Sequence, residues 1–310
     1  EDYIKAGATV LDDPEELISA SKVVIKVKEP TIEECKLLKP NQVLFCYLHL
    51  AAFPEQTRLL CESGVTAVGY ETVSTSDGQL PLLKPMSQIA GRLAVQNAVH
   101  FLQKHEGGRG VLMSGVGGVE RGKILIIGGG TAGENAASIG VGLGAEVTIF
   151  DKSLARLDYL SDKFGSNLNY VYPTNKAYEE HLSNADIVIG SVLIPGASAP
   201  KLVSRKMIGN MRGGAVIADI AIDQGGCLET SKPTSHDEPT YIVDDVIHYC
   251  VANIPSAVPL TSTKALSNSI SPYVEILAKT ANPNDLVSKQ HPLNSGVNIY
   301  NGEVCLNNLQ

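Results

Sequence analysis

The 310-residue sequence predicts an α/β protein of two domains, one of them built on a doubly wound parallel sheet. Short apolar runs alternate with helix-like stretches at the start of the chain, and strand and helix patterns alternate regularly in its centre. The length suits one large domain or two ordinary ones, and a hydrophobic fraction of 44% supports well-formed cores. We expect residues 1–81 to begin one domain, residues 82–260 to form the second, and residues 261–310 to return to the first.

The first domain is predicted from apolar runs at residues 23–27 and 43–47, separated by a helix-favouring stretch at residues 31–38. This arrangement indicates a small layer of parallel strands with helices packed on it. Residues 87–104 carry apolar side chains at helical spacing, which predicts a long helix connecting the two domains.

The central block repeats a strand followed by a helix. Strands are predicted at residues 123–127, 146–150, 169–171, 187–189, 215–219 and 241–243, and helices at residues 131–143 and 154–164. This alternation predicts parallel strands joined by right-handed crossovers. Ligands in such sheets bind beyond the carboxyl ends of the strands, where the strand order reverses.

The two ends of the chain are less regular. Residues 264–278 predict a helix that leads back to the first domain, whereas residues 282–310 are rich in Asn and Gly and show little periodicity. Glu1 is not a methionine, and residues 1–6 have a helical pattern. We therefore expect further residues upstream.

Composition excludes several classes of protein. The net charge of -8, without any basic run, disfavours nucleic-acid and anionic-membrane partners, and we expect no transmembrane segment. The six cysteines show no C-x-x-C spacing, which suits a reduced cytoplasmic protein. The histidines lack metal-ligand spacing, so we expect no metal site, and no P-loop or G-x-S-x-G motif indicates an NTPase or hydrolase.

A glycine motif follows the strand predicted at residues 123–127. Gly128, Gly130 and Gly133 satisfy G-x-G-x-x-G between a hydrophobic strand and a helix. In this context the three glycines permit a tight turn, a close approach to pyrophosphate and close packing of helix on strand. The motif therefore predicts a Rossmann-like domain that binds a dinucleotide at a helix N-terminus.

Asp151 ends the next strand, about 20 residues after the glycines, where a carboxylate binds the ribose hydroxyls of NAD. It would repel the 2′-phosphate of NADP, although Arg156 is a nearby cation that could accommodate one. The alternative is structural: the glycines only form a turn and Asp151 caps the next helix. We favour NAD as the cofactor.

Three polar groups at the ends of apolar runs are candidates for chemistry: Lys28, His49 and Asp223. A histidine can exchange protons near neutral pH, and a carboxylate past a strand end can serve a reacting centre. Each also has a structural interpretation, as an exposed lysine, a hydrogen-bonded core histidine or a turn former. For Asp219, four residues earlier, we favour the role of helix cap or turn former.

Several segments together closely resemble alanine dehydrogenases, from Glu1 to about Ala278. They are VKEP at 27–30, YLHLAA at 47–52, YETV at 70–73, PMS at 85–87, GGRGVL at 107–112, the glycine loop, DQGGC at 223–227 and YCVANIP at 249–255. The resemblance implies oxidative deamination of L-alanine to pyruvate and ammonium with NAD, and the reverse reductive amination. It also implies a substrate domain at residues 1–81 and 261–310, an NAD-binding domain at residues 82–260, and an active site between the two.

The resemblance also assigns roles to individual residues. Lys28 would bind and polarise the substrate carbonyl, His49 would bind substrate and act as acid and base, and Asp223 would manage the water and ammonia steps. The residues that would line the NAD site are Ser87, Gly128, Gly130, Gly133, Asp151, Arg156, Val192, Asp223 and Asn253. The family is usually hexameric, and its arginine for the substrate carboxylate precedes the region seen in this sequence.

Two alternatives remain beside the alanine dehydrogenase hypothesis. The NAD-binding portion of a proton-translocating transhydrogenase shares the two-domain plan, but that family commonly replaces the Asp-Gln-Gly-Gly and Lys-Glu-Pro segments, both intact here. A non-catalytic NAD-binding protein would be marked by loss of Lys28, His49 or Asp223, and all three are present.

Overall fold

The computed structural model describes residues 1–194, 198–280 and 282–306, which divide into two compact units. The first unit contains residues 1–83 and the described part of 267–310, and the second contains residues 84–194 and 198–266. The divisions thus follow Leu83 and Leu266, whereas the sequence-based boundaries follow residues 81 and 260.

The secondary structure alternates through most of the chain. The strands are β1 Val23–Ile25, β2 Val43–Cys46, β3 Thr66–Gly69, β4 Lys123–Ile127, β5 Glu146–Phe150, β6 Asn169–Val171, β7 Ile187–Gly190, β8 Val216–Asp219, β9 Thr240–Val243, β10 Val246–Tyr249, β11 Val297–Tyr300 and β12 Glu303–Val304. The α-helices are α1 Asp2–Lys5, α2 Pro14–Ala20, α3 Ile32–Leu37, α4 Pro54–Ser63, α5 Lys84–Phe101, α6 Thr131–Gly142, α7 Leu154–Phe164, α8 Asn175–Asn184, α9 Arg205–Ile208 and α10 Pro259–Lys279.

The first unit is organised around a sheet with the strand order β1-β2-β3-β11-β12. β1, β2 and β3 are parallel, and β11 joins β3 in the antiparallel direction. Leu44, Cys46, Ala67 and Ile299 from three of these strands meet in one buried apolar cluster. Because β1, β2 and β3 run the same way, the residues that follow them emerge at one edge of the sheet.

The second unit contains a doubly wound sheet with the order β6-β5-β4-β7-β8-β10-β9. On β4, Ile124 and Ile126 enter the core shared with α5 and α6, whereas Leu125 and Ile127 enter the core on the other face. Burial on both faces explains why this strand is continuously apolar rather than alternating. The strand order reverses between β4 and β7, and the fold confirms the predicted α/β class with its doubly wound sheet.

Several elements were not predicted, among them β3, α4 and α8, and others lie in hairpins. β9 is antiparallel to β10, because Asp244 and Asp245 both have positive φ, of 51° and 62°, as in a two-residue hairpin turn. β10 itself was not predicted. In the tail, Asn301 and Gly302 form a second turn of this kind between β11 and β12, where no strand was predicted. Residues 307–310 of that tail lie outside the described residues.

Candidate active site

The glycine loop between β4 and α6 has the geometry that its sequence predicts. Gly128 has φ of 101°, and a Cβ added there would lie 3.0 Å from the carbonyl oxygen of Ser191 and from Val192 Cγ2. A Cβ on Gly133 would lie 1.8 Å from the Gly128 carbonyl oxygen, so the first turn of α6 packs directly on the loop. A Cβ on Gly130 would meet no atom within 4 Å, so this glycine faces open space.

Two side chains from the region after β5 hold the main chain of Gly129. Asp151 Oδ2 accepts a hydrogen bond of 2.7 Å from the Gly129 N–H, and Arg156 Nε donates one of 2.5 Å to the Gly129 carbonyl. Asp151 Oδ1 also accepts from the Ser153 N–H at 2.8 Å, and the Ser153 side chain caps α7. The structural and the cofactor-binding interpretations of Asp151 are therefore compatible, because each carboxylate oxygen can accept a second hydrogen bond.

Ser191 follows β7 and links it to the end of β4, at the point where the strand order reverses. Its N–H donates to the Ile127 carbonyl at 2.9 Å, and its Oγ donates to the Gly128 carbonyl at 2.8 Å. Sequence reasoning missed this serine, although its position directly after a buried strand was a usable signal. Val192 comes next in the chain and contacts the same loop.

Two further predicted residues meet beyond β8 and β10. The Asn253 N–H donates to Asp223 Oδ1 at 3.2 Å. Asp223 lies on the 3₁₀ helix Ile220–Gln224 after β8, and Asn253 has a left-handed conformation with φ of 56° after β10. The carboxyl ends of adjacent parallel strands thus bring together residues 30 positions apart in the chain.

Asp219 is a structural residue in this region. It is fully buried and accepts hydrogen bonds from the Ala221 N–H at 3.0 Å, the Cys227 N–H at 2.8 Å and the Ser231 hydroxyl at 2.6 Å. Burial raises the pKa of its carboxyl group, and these donors oppose that rise. Asp219 therefore ties both ends of the segment that carries Asp223, in agreement with its interpretation as a cap.

Ser87 lies in the first turn of α5, within the second unit. Gly91, one helical turn later on the same face, approaches α6 so closely that a Cβ there would lie 2.1 Å from the Ala132 carbonyl oxygen. The face of α5 that carries Ser87 is therefore the face that packs against the start of α6. This position is consistent with its predicted role beside the glycine loop.

Lys28 and His49 belong to the first unit, at the carboxyl edge of its parallel strands. Lys28 follows β1 and His49 follows β2, each by three residues. β1 is shorter than the predicted strand at 23–27, yet the Tyr47 N–H still donates to the Val27 carbonyl at 3.1 Å, so the two segments remain paired beyond the strands. The neighbouring Lys26 is in an ion pair with Glu34, which leaves Lys28 as the more exposed lysine of the two.

His49 has an unusual main-chain conformation that sequence reasoning did not predict. Its φ is 46° and its ψ is 43°, and its ring stacks on Tyr47 with a centroid distance of 5.8 Å. The buried carboxylate of Glu71 accepts from the His49 N–H at 2.7 Å and from the Leu48 N–H at 3.1 Å. In the sequence, Glu71 stands out only as part of the YETV segment. It can accept from these N–H groups because β3, which precedes it, lies beside β2, which precedes Leu48 and His49.

Further features concern metals, thiols and membranes. Across residues 1–194, 198–280 and 282–306, no group of three or more His, Cys, Asp or Glu side chains could hold a metal ion. All six cysteines lie within these ranges and are free, with Cys35, Cys46, Cys227 and Cys250 buried. Within the same ranges, no helix has the length and apolar character needed to span a membrane.

The residues of the second unit fit a dinucleotide. Gly130 leaves open space at the N-terminus of α6, a helix of 12 residues whose first N–H groups suit a pyrophosphate. Asp151 lies beside the loop, and Val192, Asp223 and Asn253 lie past neighbouring strand ends. Together the fold and these groups define a dinucleotide-binding α/β protein.

Comparison with known proteins narrows this class. Sequence models described as "Alanine dehydrogenase/PNT, N-terminal domain" and "Alanine dehydrogenase/PNT, C-terminal domain" match residues 1–90 and 94–307. The chain belongs to the alanine dehydrogenase/PNT family.

Individual relatives agree with this assignment. An alanine dehydrogenase of Halomonas elongata is 48% identical over 98% of this chain and 81% of its own length. One of Methanococcus maripaludis is 47% identical over 98% of this chain and 82% of its own length. A solved L-alanine dehydrogenase is 47% identical, covers 98% of this chain and 83% of its own, and has a TM-score of 0.88. A transhydrogenase of Sinorhizobium meliloti, covering 98% of this chain and 84% of its own, has a TM-score of 0.77 but 22% identity, so that likeness concerns the fold alone.

Proposed function

We propose that this protein is an NAD-dependent alanine dehydrogenase, which converts L-alanine to pyruvate and ammonium and catalyses the reverse reductive amination. The observation that carries the proposal is an identity of 47–50% with named alanine dehydrogenases along most of the chain. The transhydrogenase alternative is less favoured, because the transhydrogenase structure is only 22% identical.

The second unit is proposed to bind NAD. Gly128, Gly130 and Gly133 would receive the pyrophosphate, and Asp151 would bind the ribose hydroxyls. The further residues proposed to line the site are Ser87, Arg156, Val192, Asp223 and Asn253. When bound, NAD accepts the hydride of the substrate and returns it in the reverse reaction.

The first unit is proposed to bind the substrate through Lys28 and His49. The Lys28 ammonium lies 3.4 Å from Glu29 Oε2 and is partly exposed, so it can donate to the oxygen that becomes the keto group of pyruvate. His49 is half-buried, and Glu71 binds its main-chain N–H. This contact fixes the main-chain position from which the imidazole side chain extends. We assign to this ring the proton transfers of the reaction.

Asp223 is proposed to stabilise the cationic imine that forms from alanine. Water adds to the imine carbon and loses a proton to His49, giving a carbinolamine. The carbon–nitrogen bond then breaks as the nitrogen is protonated, releasing pyruvate and ammonium. The overall oxidation consumes water and releases one proton, so high pH favours deamination.

We further propose a hexameric assembly in the cytoplasm, with L-alanine, pyruvate and ammonium as its small-molecule partners. The family resemblance supports the hexamer, and the free cysteines suit a reducing compartment. Light scattering of the purified full-length protein would measure the mass of the assembly, and a dimeric mass would contradict the hexamer.

The experiment that tests the function follows NADH absorbance with the full-length protein and a panel of alanine, serine, glycine and 2-aminobutyrate. We expect alanine to be preferred, with an alkaline optimum for oxidation. His49→Ala and Asp223→Asn should abolish turnover while the protein remains folded by circular dichroism. NADH binding without turnover in the unaltered protein would instead favour a non-catalytic NAD-binding protein, and full activity of both variants would refute the assigned mechanism.

A further inference from the structure

Glu134 is a charged residue beside the glycine loop that the proposed mechanism does not use. It follows Gly133 directly and lies in the first turn of α6, with only 15% of its side chain exposed. Its carboxylate accepts hydrogen bonds from two cations of α7, Lys163 Nζ at 2.5 Å and Arg156 Nη2. One partly buried acid thus pairs with both cations of its neighbouring helix.

Arg156 is held on several sides by this arrangement. Its Nε donates to the Gly129 carbonyl at 2.5 Å, its Nη2 donates to Glu134, and its guanidinium carbon lies 4.6 Å from the centre of the Tyr159 ring. Asp151 binds the N–H of the same Gly129. Arg156 therefore binds the carbonyl of Gly129, and Asp151, the carboxylate proposed to bind the ribose, binds the N–H of the same residue.

This proximity matters for the choice between NAD and NADP. A carboxylate beside the ribose favours NAD, whereas an arginine free to bind a phosphate accommodates the 2′-phosphate of NADP. The four charges of Asp151, Glu134, Arg156 and Lys163 sum to zero, so the two cations of α7 are balanced by two carboxylates. Without the charge of Glu134, the same group would carry a net positive charge and Arg156 would lose its anionic partner.

We propose that Glu134 is a specificity-determining residue that excludes NADP by holding Arg156 on the glycine loop and neutralising it. The inference rests on the proposed binding of NAD by the second unit. In this role Glu134 acts through Arg156 and is a positioning residue, while Asp151 is the group proposed to touch the ribose.

The ionisation of Glu134 is consistent with this role. Burial by itself would raise its pKa, but the hydrogen bonds from Lys163 and Arg156 outweigh burial, and the pKa lies below its usual value. The same contact raises the pKa of Lys163. Glu134 and Lys163 are therefore both charged at neutral pH.

The test measures the dissociation constants of NADH and NADPH by cofactor fluorescence for the full-length protein and for Glu134→Gln. We expect NADH binding to change by less than about twofold and NADPH binding to tighten about tenfold, the size of effect of one charge-assisted contact. The bisphosphate fragment 2′,5′-ADP should show the same gain by calorimetry, whereas 5′-AMP should not.

Two further variants show whether the gain passes through Arg156. Adding Arg156→Gln to Glu134→Gln should remove the gain in NADPH affinity, because no guanidinium remains to bind the phosphate. Glu55→Gln is the matched control, since Glu55 pairs with Arg58 on α4 of the first unit at 2.8 Å and is not a residue proposed to bind the cofactor, so its loss should leave both cofactors unaffected. If Glu134→Gln does not fold, Glu134→Ala applies the same test, because alanine suits a helix and also removes the negative charge that pairs with Arg156.

The results separate this inference from the proposed function. Failure of the unaltered protein to bind NADH would refute the cofactor assignment. If NADH binding is intact, unchanged NADPH affinity in Glu134→Gln would overturn the role of Glu134. A gain that persists without Arg156 would overturn it as well.

Discussion

The Glu71 carboxylate accepts a 2.7 Å hydrogen bond from the main-chain N–H of His49, and this contact holds a left-handed residue in place. A residue other than glycine in this conformation costs about 1–2 kcal/mol. The energy must come from surrounding contacts, and Glu71 supplies two of them through the N–H groups of Leu48 and His49. The direction of the His49 side chain therefore depends on Glu71, which follows the neighbouring strand β3.

Replacing Glu71 with Gln should impair catalysis more than cofactor binding. The amide oxygen can take only one of the two oxygen positions, so the amide nitrogen at the Oε2 position would face the Leu48 N–H, and the negative charge that strengthens the contact with the His49 N–H would be lost. His49 would therefore be held less firmly. We expect kcat/KM for alanine to fall about 10- to 100-fold, as for a displaced catalytic group, with an altered pH profile and an unchanged NADH dissociation constant. Glu62→Gln, on the exposed surface of α4, is the control. Unaltered kinetics in Glu71→Gln would mean that this contact is dispensable.

Gly130→Ala should weaken NADH binding without destabilising the fold. Its φ of -63° suits alanine, and the added Cβ meets no protein atom, but it would enter the space proposed for pyrophosphate. We expect the dissociation constant of NADH to rise more than about tenfold, equivalent to about 1.4 kcal/mol. Gly142→Ala, at the other end of the same helix and also in open space, should bind NADH normally. Equal binding by both variants would contradict the proposed cofactor position.

Asp219→Asn should destabilise the second unit. The Ala221 N–H donates to one carboxylate oxygen and the Cys227 N–H to the other, so in either orientation the amide nitrogen of asparagine would face one of these N–H groups and cannot accept from it. Losing charge-assisted hydrogen bonds in a buried site costs about 3 kcal/mol. Urea unfolding would measure this loss, with the exposed Asp158→Asn as the control. A change below about 0.5 kcal/mol, the range of ordinary surface substitutions, would show that the Asp219 network contributes little.

The buried His248 should make stability depend on pH. Burial lowers its pKa below the usual 6.5, against opposing effects of the Val246 carbonyl and Asp244. Its Nδ1 lies 2.9 Å from that carbonyl and its Nε2 lies 2.8 Å from Thr230 Oγ1, a pattern that suits a neutral ring with the proton on Nδ1.

The sign of the effect follows from proton binding. Just below pH 6.5 the unfolded chain binds a proton that folded His248 does not, so stability falls as the pH falls. The contribution of this group is at most about 1.4 kcal/mol per pH unit. Urea unfolding at about pH 7.5 and about pH 5.5 would show a smaller pH dependence in His248→Gln than in the unaltered protein. The exposed His105→Gln should retain the full dependence, and equal slopes in all three proteins would rule out His248 as the source.

Much of the second unit could be predicted from the sequence, because its signals are local. β4, β5, β6 and α7 have the predicted bounds, since apolar runs, caps and terminal glycines lie within each element. A strand was predicted at the position of β9, but β10, β11 and β12 were missed. The last two were missed although Asn301-Gly302 is a usual turn pair, because β11 and β12 are short and lack strong periodicity. The pairing of β11 with β3 joins distant parts of the chain. Beside it, the Thr72 hydroxyl donates to Asn298 Oδ1, although the two residues are 226 positions apart.

The α/β class, the glycine loop and the candidates Lys28, His49, Asp151 and Asp223 can be predicted without coordinates, because each prediction depends on residues close together in the chain. The contacts that hold these residues in place are visible only in the folded chain. Glu71 reaches His49, Glu134 neutralises Arg156, and Asn253 binds Asp223 because separate segments meet at strand ends and on adjacent helices. Such contacts depend on strand order and helix packing, and no short stretch of sequence specifies either.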